Sequence, residues 1–581
     1  MTAAPPASLF PAQQWQQIEQ LLRSIDERQA LWLSGYLAAA SQQAPGQAPA
    51  PQPRGKTVLI AHGGETGNSR SVALALGEQA AKAGIPAQVE DLAQLRVRQL
   101  AKHEHLLMIC STHGDGDPPE PVIPFFEALM ADSAPALGHL QFSVLALGDS
   151  TYEHFCLTGH QLDQRLEALG ATRIHPRQDC DVDYHEPSRL WGDAVLALLP
   201  KGEVAAPAQD ALRQETAGRQ FTKQNPLQTE VLENQCLSNS AREVPIHHIE
   251  LALEAEDFSL SPGDAVGVLA DNPPALIAAV LDATRLSGDA AVTVEGEPLP
   301  LVQALRQSLD LTIPSVRFLE FWAELSQADA LRAVCASPPK EQRAFLKQVQ
   351  VLELMADYPA APEPQALVEA LRPLQPRLYD VANSLNTVGD ELHLNVKLWR
   401  YAFRDSLRTG IGSRYLLALE PGDTVRVYPH RNTRFHLPEE PATPVILIAE
   451  GTGIAPYRAF IQELALAPVP RPCWLVFAEH RFEEDFLYQL ELQQAHQQGH
   501  LQHVDTVFYD DQPDATLATP LLAHAQRLLD WVERGAHVYF CGDKDRLTQC
   551  EDVVGEHIDR QLGSPRWQQY SKDKRIHRNL Y

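Results

Sequence analysis

Thr57-Val58-Leu59-Ile60 leads into Gly63-Gly64-Glu65-Thr66-Gly67-Asn68-Ser69, an apolar run followed by a turn of glycines, hydroxyls and a small amide. The pattern reads as a buried strand ending in a strand-to-helix turn. The backbone N–H groups and hydroxyls of such a turn suit a phosphomonoester. A second stretch, Arg377-Leu378-Tyr379 followed by Ser384, sets a fixed cation and a flat aromatic on one short extended segment. That combination suits a pyrophosphate and a ring system. Two phosphate-bearing aromatic cofactors in one chain point to stepwise electron transfer.

Two further units repeat the first pattern. Leu106–Cys110 runs into Ser111-Thr112-His113-Gly114-Asp115-Gly116-Asp117-Pro118-Pro119. Phe142–Leu147 runs into Gly148-Asp149-Ser150-Thr151-Tyr152-Glu153-His154-Phe155-Cys156. One such loop is commonly only a turn. Three at successive strand ends mark the place where a doubly wound sheet binds ligands. Small residues let the backbone approach a flat ring, and His113 and Tyr152 are candidates to cover its faces.

The rest of the chain falls into blocks. Residues 1–54 form a leader, with helices expected around Gln14 to Ile25 and Glu27 to Ala40, then a Gln/Ala/Pro-rich linker from Ser41 to Pro53. Residues 55–200 alternate strands and helices, which implies a parallel sheet covered on both faces. A polar, Ala-rich linker spans 201–218. Residues 219–437 read as a β-barrel interrupted by a helical insertion over about 272–370. From 438 to 581 the α/β alternation returns, with strands at Pro444–Ala449, Trp474–Phe477, His503–Phe508 and Val538–Cys541. The fold class expected is therefore multidomain α/β: one doubly wound domain, one barrel and one nucleotide-binding α/β domain.

Composition excludes several classes. With 581 residues the chain is too long for one core. A net charge of −27 leaves no basic stripe for nucleic acid. That acidity serves solubility, or it guides a more basic protein partner. Eight cysteines without a CxxC pair argue against a disulfide framework and a zinc site, so no metal is expected. No run reaches the ~18 apolar residues of a membrane span. With no secretory signal pattern, the compartment expected is the cytoplasm.

The three loops resemble a flavodoxin-type FMN site made of Gly64, Glu65, Thr66, Gly67, Asn68, Ser69, Ser111, Thr112, His113, Gly114 and residues from Leu147 to Cys156. Arg377-Leu378-Tyr379, Asn395-Val396-Lys397 and Gly410-Ile411-Gly412-Ser413 resemble the FAD site of ferredoxin-reductase-like barrels. Gly451-Thr452-Gly453 and Cys541-Gly542-Asp543 resemble the nicotinamide half of that fold. Together these motifs resemble the diflavin reductase family over roughly 55–581. The leader segment Leu31-Trp32-Leu33-Ser34-Gly35-Tyr36 is similar to that of bacterial sulfite reductase flavoprotein subunits. The resemblance implies FMN and FAD as cofactors, NADPH as donor and a sulfite reductase haemoprotein as partner. It also assigns FAD contacts to Thr312, Tyr401 and Tyr581, and nucleotide contacts to Tyr509, Asp510, Ala515, Thr516, Leu517, Ala518, Thr519 and Cys550. The hydride site it implies comprises Asp380, Cys541, Asn579 and Tyr581, the last shielding one face of the flavin.

Departures from the family pattern carry information too. Asp380 stands where relatives usually have Ser, and Asn579 where they usually have Asp. If both line the hydride site, the carboxylate has moved from the tail to the barrel; otherwise Asp380 caps a turn. The stretch from Tyr509 to Leu517 holds three carboxylates and no cation, which favours NADH, whereas the family implies NADPH. Arg481 or Lys544 could approach from neighbouring loops. Amphipathic spacing of Trp15, Ile18, Leu21, Leu22 and Ile25 makes self-association through the leader the expected use of that segment. A reductase for another haem acceptor, such as a soluble monooxygenase, is one alternative. A flavin-binding assembly subunit with impaired hydride transfer is another.

Overall fold

The computed structural model describes residues 57–581 apart from 65–66, 115, 151, 153, 201–220, 239–241, 243, 254–257 and 433. The expected leader helices, the self-association surface and the second linker lie outside the described residues.

Strands β1 (Val58–Gly63), β2 (Ala87–Asp91), β3 (His105–Ser111), β4 (Gln141–Leu147), β5 (Thr172–Arg173) and β6 (Gln178–Cys180) make the first sheet. Its order is β2-β1-β3-β4-β5, with β6 also pairing β4, and every pairing is parallel. This is the flavodoxin-like order, with its switch point between β1 and β3. β1 is buried along its whole length, because helices cover both faces. Asn68–Lys82 and His185–Ala197 bring Leu76 and Trp191 to one face. Ile123–Met130 and Leu157–Ala168 bring Phe125 and Leu162 to the other. Ala87–Asp91 escaped the sequence reading because it is a half-exposed edge strand with no apolar run.

The barrel starts with β7 (Leu227–Cys236), β8 (Ile246–Ala252) and β9 (Ala265–Leu269). A helical insertion follows, beginning at Pro274–Thr284 and ending with Pro364–Ala370. It contains a hairpin, β10 (Ala291–Val294) with β11 (Glu297–Pro300), which the sequence reading had absorbed into helix. The insertion has its own core around Phe318 and Trp322, whose rings stack at 5.6 Å. The barrel resumes with β12 (Arg377–Asp380) and β13 (Glu391–Lys397). A hairpin of β14 (Arg400–Phe403) and β15 (Ser406–Thr409) precedes β16 (Thr424–His430). The six barrel strands run antiparallel in the order β12-β9-β16-β7-β8-β13. An antiparallel bridge between Val381 and Leu394 joins the two ends of that order and closes the barrel.

The last sheet comprises β17 (Val445–Glu450), β18 (Cys473–Glu479), β19 (His503–Phe508), β20 (His537–Gly542) and β21 (Ile576–Leu580). Its order is β19-β18-β17-β20-β21, all parallel. β21 was not foreseen, since His577, Arg578 and Asn579 break its apolar pattern. It pairs with β20 in a register that sets Asn579 beside Cys541. This pairing positions the candidate hydride site.

Buried polar contacts seat the barrel on this sheet. The Arg242 guanidinium lies between the Glu479 and Asp485 carboxylates. His248 Nδ1 meets the Tyr488 hydroxyl at 2.9 Å, and the Arg458 Nη1 donates to His393 Nδ1 at 3.2 Å. The first sheet's domain meets the helical insertion through Arg372, which donates to Asp149 at 3.1 Å, and through Arg317, paired with Asp183 at 3.3 Å.

Candidate active site

The loop after β1 makes a small polar hollow. A methyl group built on Gly64 would stand 2.8 Å from Ser111 Oγ and 2.9 Å from Ser69 Oγ, so only glycine leaves this space open. Ser69 Oγ and Thr112 Oγ1 are buried and have no hydrogen-bond partner among the described residues. Unpaired buried hydroxyls are costly, and an acceptor-rich group such as a phosphate would satisfy them. The residues present therefore fit a phosphomonoester at this switch point. Glu65, Thr66, Thr151 and Glu153 lie outside the described residues.

Beside the hollow, the loop after β4 is fixed by two backbone bonds. Thr112 N–H donates to Leu147 O at 2.9 Å, and Gly148 N–H donates to Cys180 O at 2.9 Å. Ser150 is held by Asp181 through its N–H at 3.0 Å and its hydroxyl at 2.5 Å. Tyr152 is 51% exposed, so its ring is available as a face for a flat ligand. Leu147, the last residue of β4, and Cys156, just before the helix Leu157–Ala168, have buried side chains, so any contact they make is through backbone.

A cavity of about 1220 Å³ continues from His113, Ser150 and Tyr152 to the barrel and the last sheet. Thr312, Arg377, Tyr379, Asp380, Asn395, Lys397, Tyr401 and Ser413 line it, and Tyr581 stands at its far end. Arg377 donates only to the carbonyls of Gln375 and Pro376, and no carboxylate pairs with it among the described residues. A fixed cation with free donors fits a pyrophosphate. Gly412 lets Arg377 and Tyr379 pack close: a methyl there would lie 2.9 Å from Arg377 Cγ and 3.0 Å from Tyr379 Oη. Thr312 gives its hydroxyl to Asp310 at 2.6 Å, and Tyr401 receives Gln350 Nε2 at 2.8 Å. Val396 is buried in the barrel core, so any contact it makes is through its backbone.

At the end of the cavity four expected residues meet. Asn579 Nδ2 donates to Asp380 Oδ1 at 2.8 Å across 199 residues of chain. The Cys541 thiol faces Asp380 Oδ2 at 3.7 Å. Tyr581 donates its backbone N–H to Gly542 O at 3.1 Å, and its hydroxyl meets Thr452 Oγ1 at 3.1 Å. Tyr581 is 58% exposed as a whole residue, its terminal carboxylate included. Burial pushes the Asp380 carboxyl up to about 6, against the opposing pull of the Asn579 and Cys541 donors. Burial also pushes the Cys541 thiol well above its ordinary value, so it stays protonated. The arrangement offers a carboxyl that changes charge near neutrality beside a thiol that does not.

Loops at the carboxyl ends of the last sheet complete the picture. Gly453 packs directly on Cys541, since a methyl there would fall 1.9 Å from its carbonyl oxygen. Asp510 receives Arg481 Nε at 3.1 Å and faces His480 Nδ1 at 3.4 Å. Arg481 does approach this stretch, whereas Lys544 donates its backbone N–H to Tyr581 O at 3.2 Å. Arg546 lies over the Tyr509 ring at 4.0 Å. Of the expected nucleotide contacts, Leu517, Ala518 and Cys550 have their side chains buried in the apolar core on the helix side of the sheet. The Thr519 hydroxyl accepts Thr516 N–H at 2.8 Å, and Asp543 accepts Arg546 N–H at 3.0 Å as the cap of the helix Lys544–Leu562.

The sequence reading missed Trp399, Gln350, Arg372 and Arg546. Trp399 is 65% exposed on the cavity wall, and its position between Lys397 and Tyr401 was the available signal. The others come from the insertion, or from a helix whose pattern is only amphipathic, and carried no signal.

Comparisons with known proteins find three family models along the chain. Residues 60–191 match the flavodoxin family model, 219–415 the FAD binding domain and 447–551 the oxidoreductase NAD-binding domain. The chain is 38% identical over 559 residues to "Sulfite reductase [NADPH] flavoprotein alpha-component" of Bacillus subtilis (strain 168), covering 93% of this chain and 92% of that one. The protein of the same description from Shewanella sp. (strain ANA-3) is 39% identical over 562 residues, covering 94% and 92%. That from Photobacterium profundum is 34% identical over 598 residues, covering 99% and 98%.

Proposed function

The chain belongs to the sulfite reductase flavoprotein alpha-component family and is a multidomain flavoprotein oxidoreductase, and on that premise we propose that it carries electrons from NADPH or NADH to a sulfite reductase haemoprotein. The observation that carries this reading is the single cavity running from Tyr152 to Asp380 and Tyr581. It brings the loops beside the phosphate-fitting hollow (His113, Ser150, Tyr152), a cation with free donors and the Glu450 and Thr452 end of a nucleotide-type sheet edge into one space. FAD and FMN, when bound, convert a two-electron hydride into single-electron transfers.

The chain's own residues do the rest. Ser69, Ser111 and Thr112 hold the FMN phosphate, while His113 and Tyr152 border its ring. Arg377 takes the FAD pyrophosphate, and Tyr379 and Tyr581 cover the FAD ring. The Gly451 loop binds the nucleotide, and the Tyr581 ring moves aside for the nicotinamide. Asp380 in its carboxylate form stabilises the positive charge that develops there as hydride leaves. Asn579 and Cys541 hold that carboxylate in place, so they are positioning residues.

The finer reading adds cytoplasmic localisation and self-association through the leader. No described helix is long and apolar enough to cross a membrane. The test is direct. Purified full-length protein loaded with both flavins should bleach on adding NADPH or NADH and reduce ferricyanide. With a sulfite reductase haemoprotein added, it should reduce sulfite. A flavin-loaded protein that neither nucleotide bleaches would overturn the reading in favour of an assembly subunit.

A further inference from the structure

The carboxyl ends of β19, β18, β17 and β20 lie side by side, and their registers are continuous. Glu450 pairs with Ala478, Glu479 with Phe508, and Ala449 with Cys541. Tyr509 N–H donates to Glu479 O and Asp510 N–H to His480 O, both at 2.9 Å, so this alignment extends into the loops. Neighbouring strands are about 4.8 Å apart, which puts Tyr509 and Asp510 roughly 10 Å from the Gly451 loop. They stand on the opposite side of that loop from Cys541 and the Asp380 cavity. A dinucleotide anchored at the loop, with its nicotinamide toward Asp380, therefore carries its adenosine ribose toward Asp510.

The charges around Asp510 are already matched. Arg481 gives its Nε to Asp510 and its Nη1 to Glu484 at 3.1 Å. Asp511 accepts the Phe482 N–H at 2.8 Å. Arg546 is engaged with the Tyr509 ring, its guanidinium carbon 4.0 Å from the ring centre. Glu483 and Asp514 add two more exposed carboxylates. A 2′-phosphate dianion brought here would face Asp510, Asp511 and Glu484, and would have to break the pairs of Arg481. A free 2′-hydroxyl meets no such conflict and donates to a carboxylate that Arg481 and His480 already hold in place.

We propose that this enzyme uses NADH in preference to NADPH, with Asp510 accepting a hydrogen bond from the adenosine 2′-hydroxyl. The inference rests on the reading of this sheet edge as the nucleotide site. It separates the chain from relatives named as NADPH sulfite reductase flavoproteins.

Two measurements on the full-length protein test it. In calorimetry, 5′-AMP should bind more tightly than 2′,5′-ADP, since the two differ only in the discriminating phosphate. In steady-state reduction of ferricyanide, kcat/KM should be higher for NADH by about tenfold to a hundredfold, the span of one charge-assisted hydrogen bond. Asp510→Ala removes the acceptor and should lower that ratio by about tenfold, through loss of NADH affinity. Arg481→Gln loosens the Asp510 carboxylate and should lower NADH kcat/KM modestly, with no selective loss of NADPH turnover. Tighter binding of 2′,5′-ADP, or a selective loss of NADPH turnover in Arg481→Gln, would show that Arg481 reads a phosphate and would overturn the proposal. Failure of both nucleotides to bleach flavins that dithionite bleaches would instead strike the reductase reading, while the AMP comparison would still decide the preference.

Discussion

The hollow at Gly64 and the pocket at Asp380 both offer polar groups to a flat, charged ligand, but they are assembled in opposite ways. Gly64 and Ser69 belong to one turn, and Ser111 and Thr112 to the loop of the neighbouring parallel strand, so strand pairing alone brings them together. Asp380, Cys541 and Asn579 come from the barrel and from two strands of another sheet, and meet only when barrel and sheet dock. A site made from the ends of adjacent strands should tolerate changes elsewhere. A site made across a domain contact should respond to any change in that contact.

The sharpest way to break this comparison is at Asp380. Asp380→Asn keeps shape but loses charge, and should slow flavin reduction by nicotinamide by about a hundredfold or more, the scale on which preorganised charges act. FMN content should not change. The rate in the unaltered enzyme should rise with pH through about 6, because below that value the carboxyl is protonated. The variant should show no such limb. Exchanging the pair, as Asp380→Asn with Asn579→Asp, should recover part of the rate, and stopped-flow absorbance would measure all three. A variant rate equal to that of the unaltered enzyme would reduce Asp380 to a cap.

A smaller effect is expected at the local site. Gly64→Ala fills the hollow, and Ser69→Ala removes one donor. Each should weaken FMN binding by about tenfold to a hundredfold, the worth of a hydrogen bond to a charged group. Fluorescence titration of FMN into the apoprotein would measure it. Hydride transfer to FAD should stay as it was, which would sharpen the separation of the two sites.

The smallest effect concerns the docking contact itself. His577 donates Nδ1–H to the Arg434 carbonyl at 2.6 Å and receives His537 Nδ1–H at 2.9 Å, joining barrel and sheet through two neutral imidazoles. Burial holds both down to about 4. In the unfolded chain they take up protons near 6.5, so the unfolded state binds more protons between 6.5 and 4. Stability is therefore full above about 6.5 and falls as pH drops toward 4. Thermal unfolding should show Tm lowered by a few degrees from pH 7 to pH 5, with His537→Gln flattening that slope. A Tm rising on acidification would show that other groups dominate.

What the sequence alone determined follows from contiguity. Thr57–Ser69 carries its apolar run, its glycines and its hydroxyls in one stretch, so strand, turn and ligand type could be read together. The same holds for Arg377–Tyr379 and for Gly451–Gly453. Backbone geometry ties each motif to its neighbours over a few residues, and no distant partner is needed to interpret it. Only the tertiary structure decided that Asp380 and Asn579 bond directly, that Arg481 neutralises Asp510, and that Cys550 lies in an apolar core. The reason is that β21 is specified by pairing with β20 and not by its own pattern, and that side-chain partners 29 or 199 residues away are chosen by docking of whole elements. A charge read in sequence has no partner until the fold supplies one.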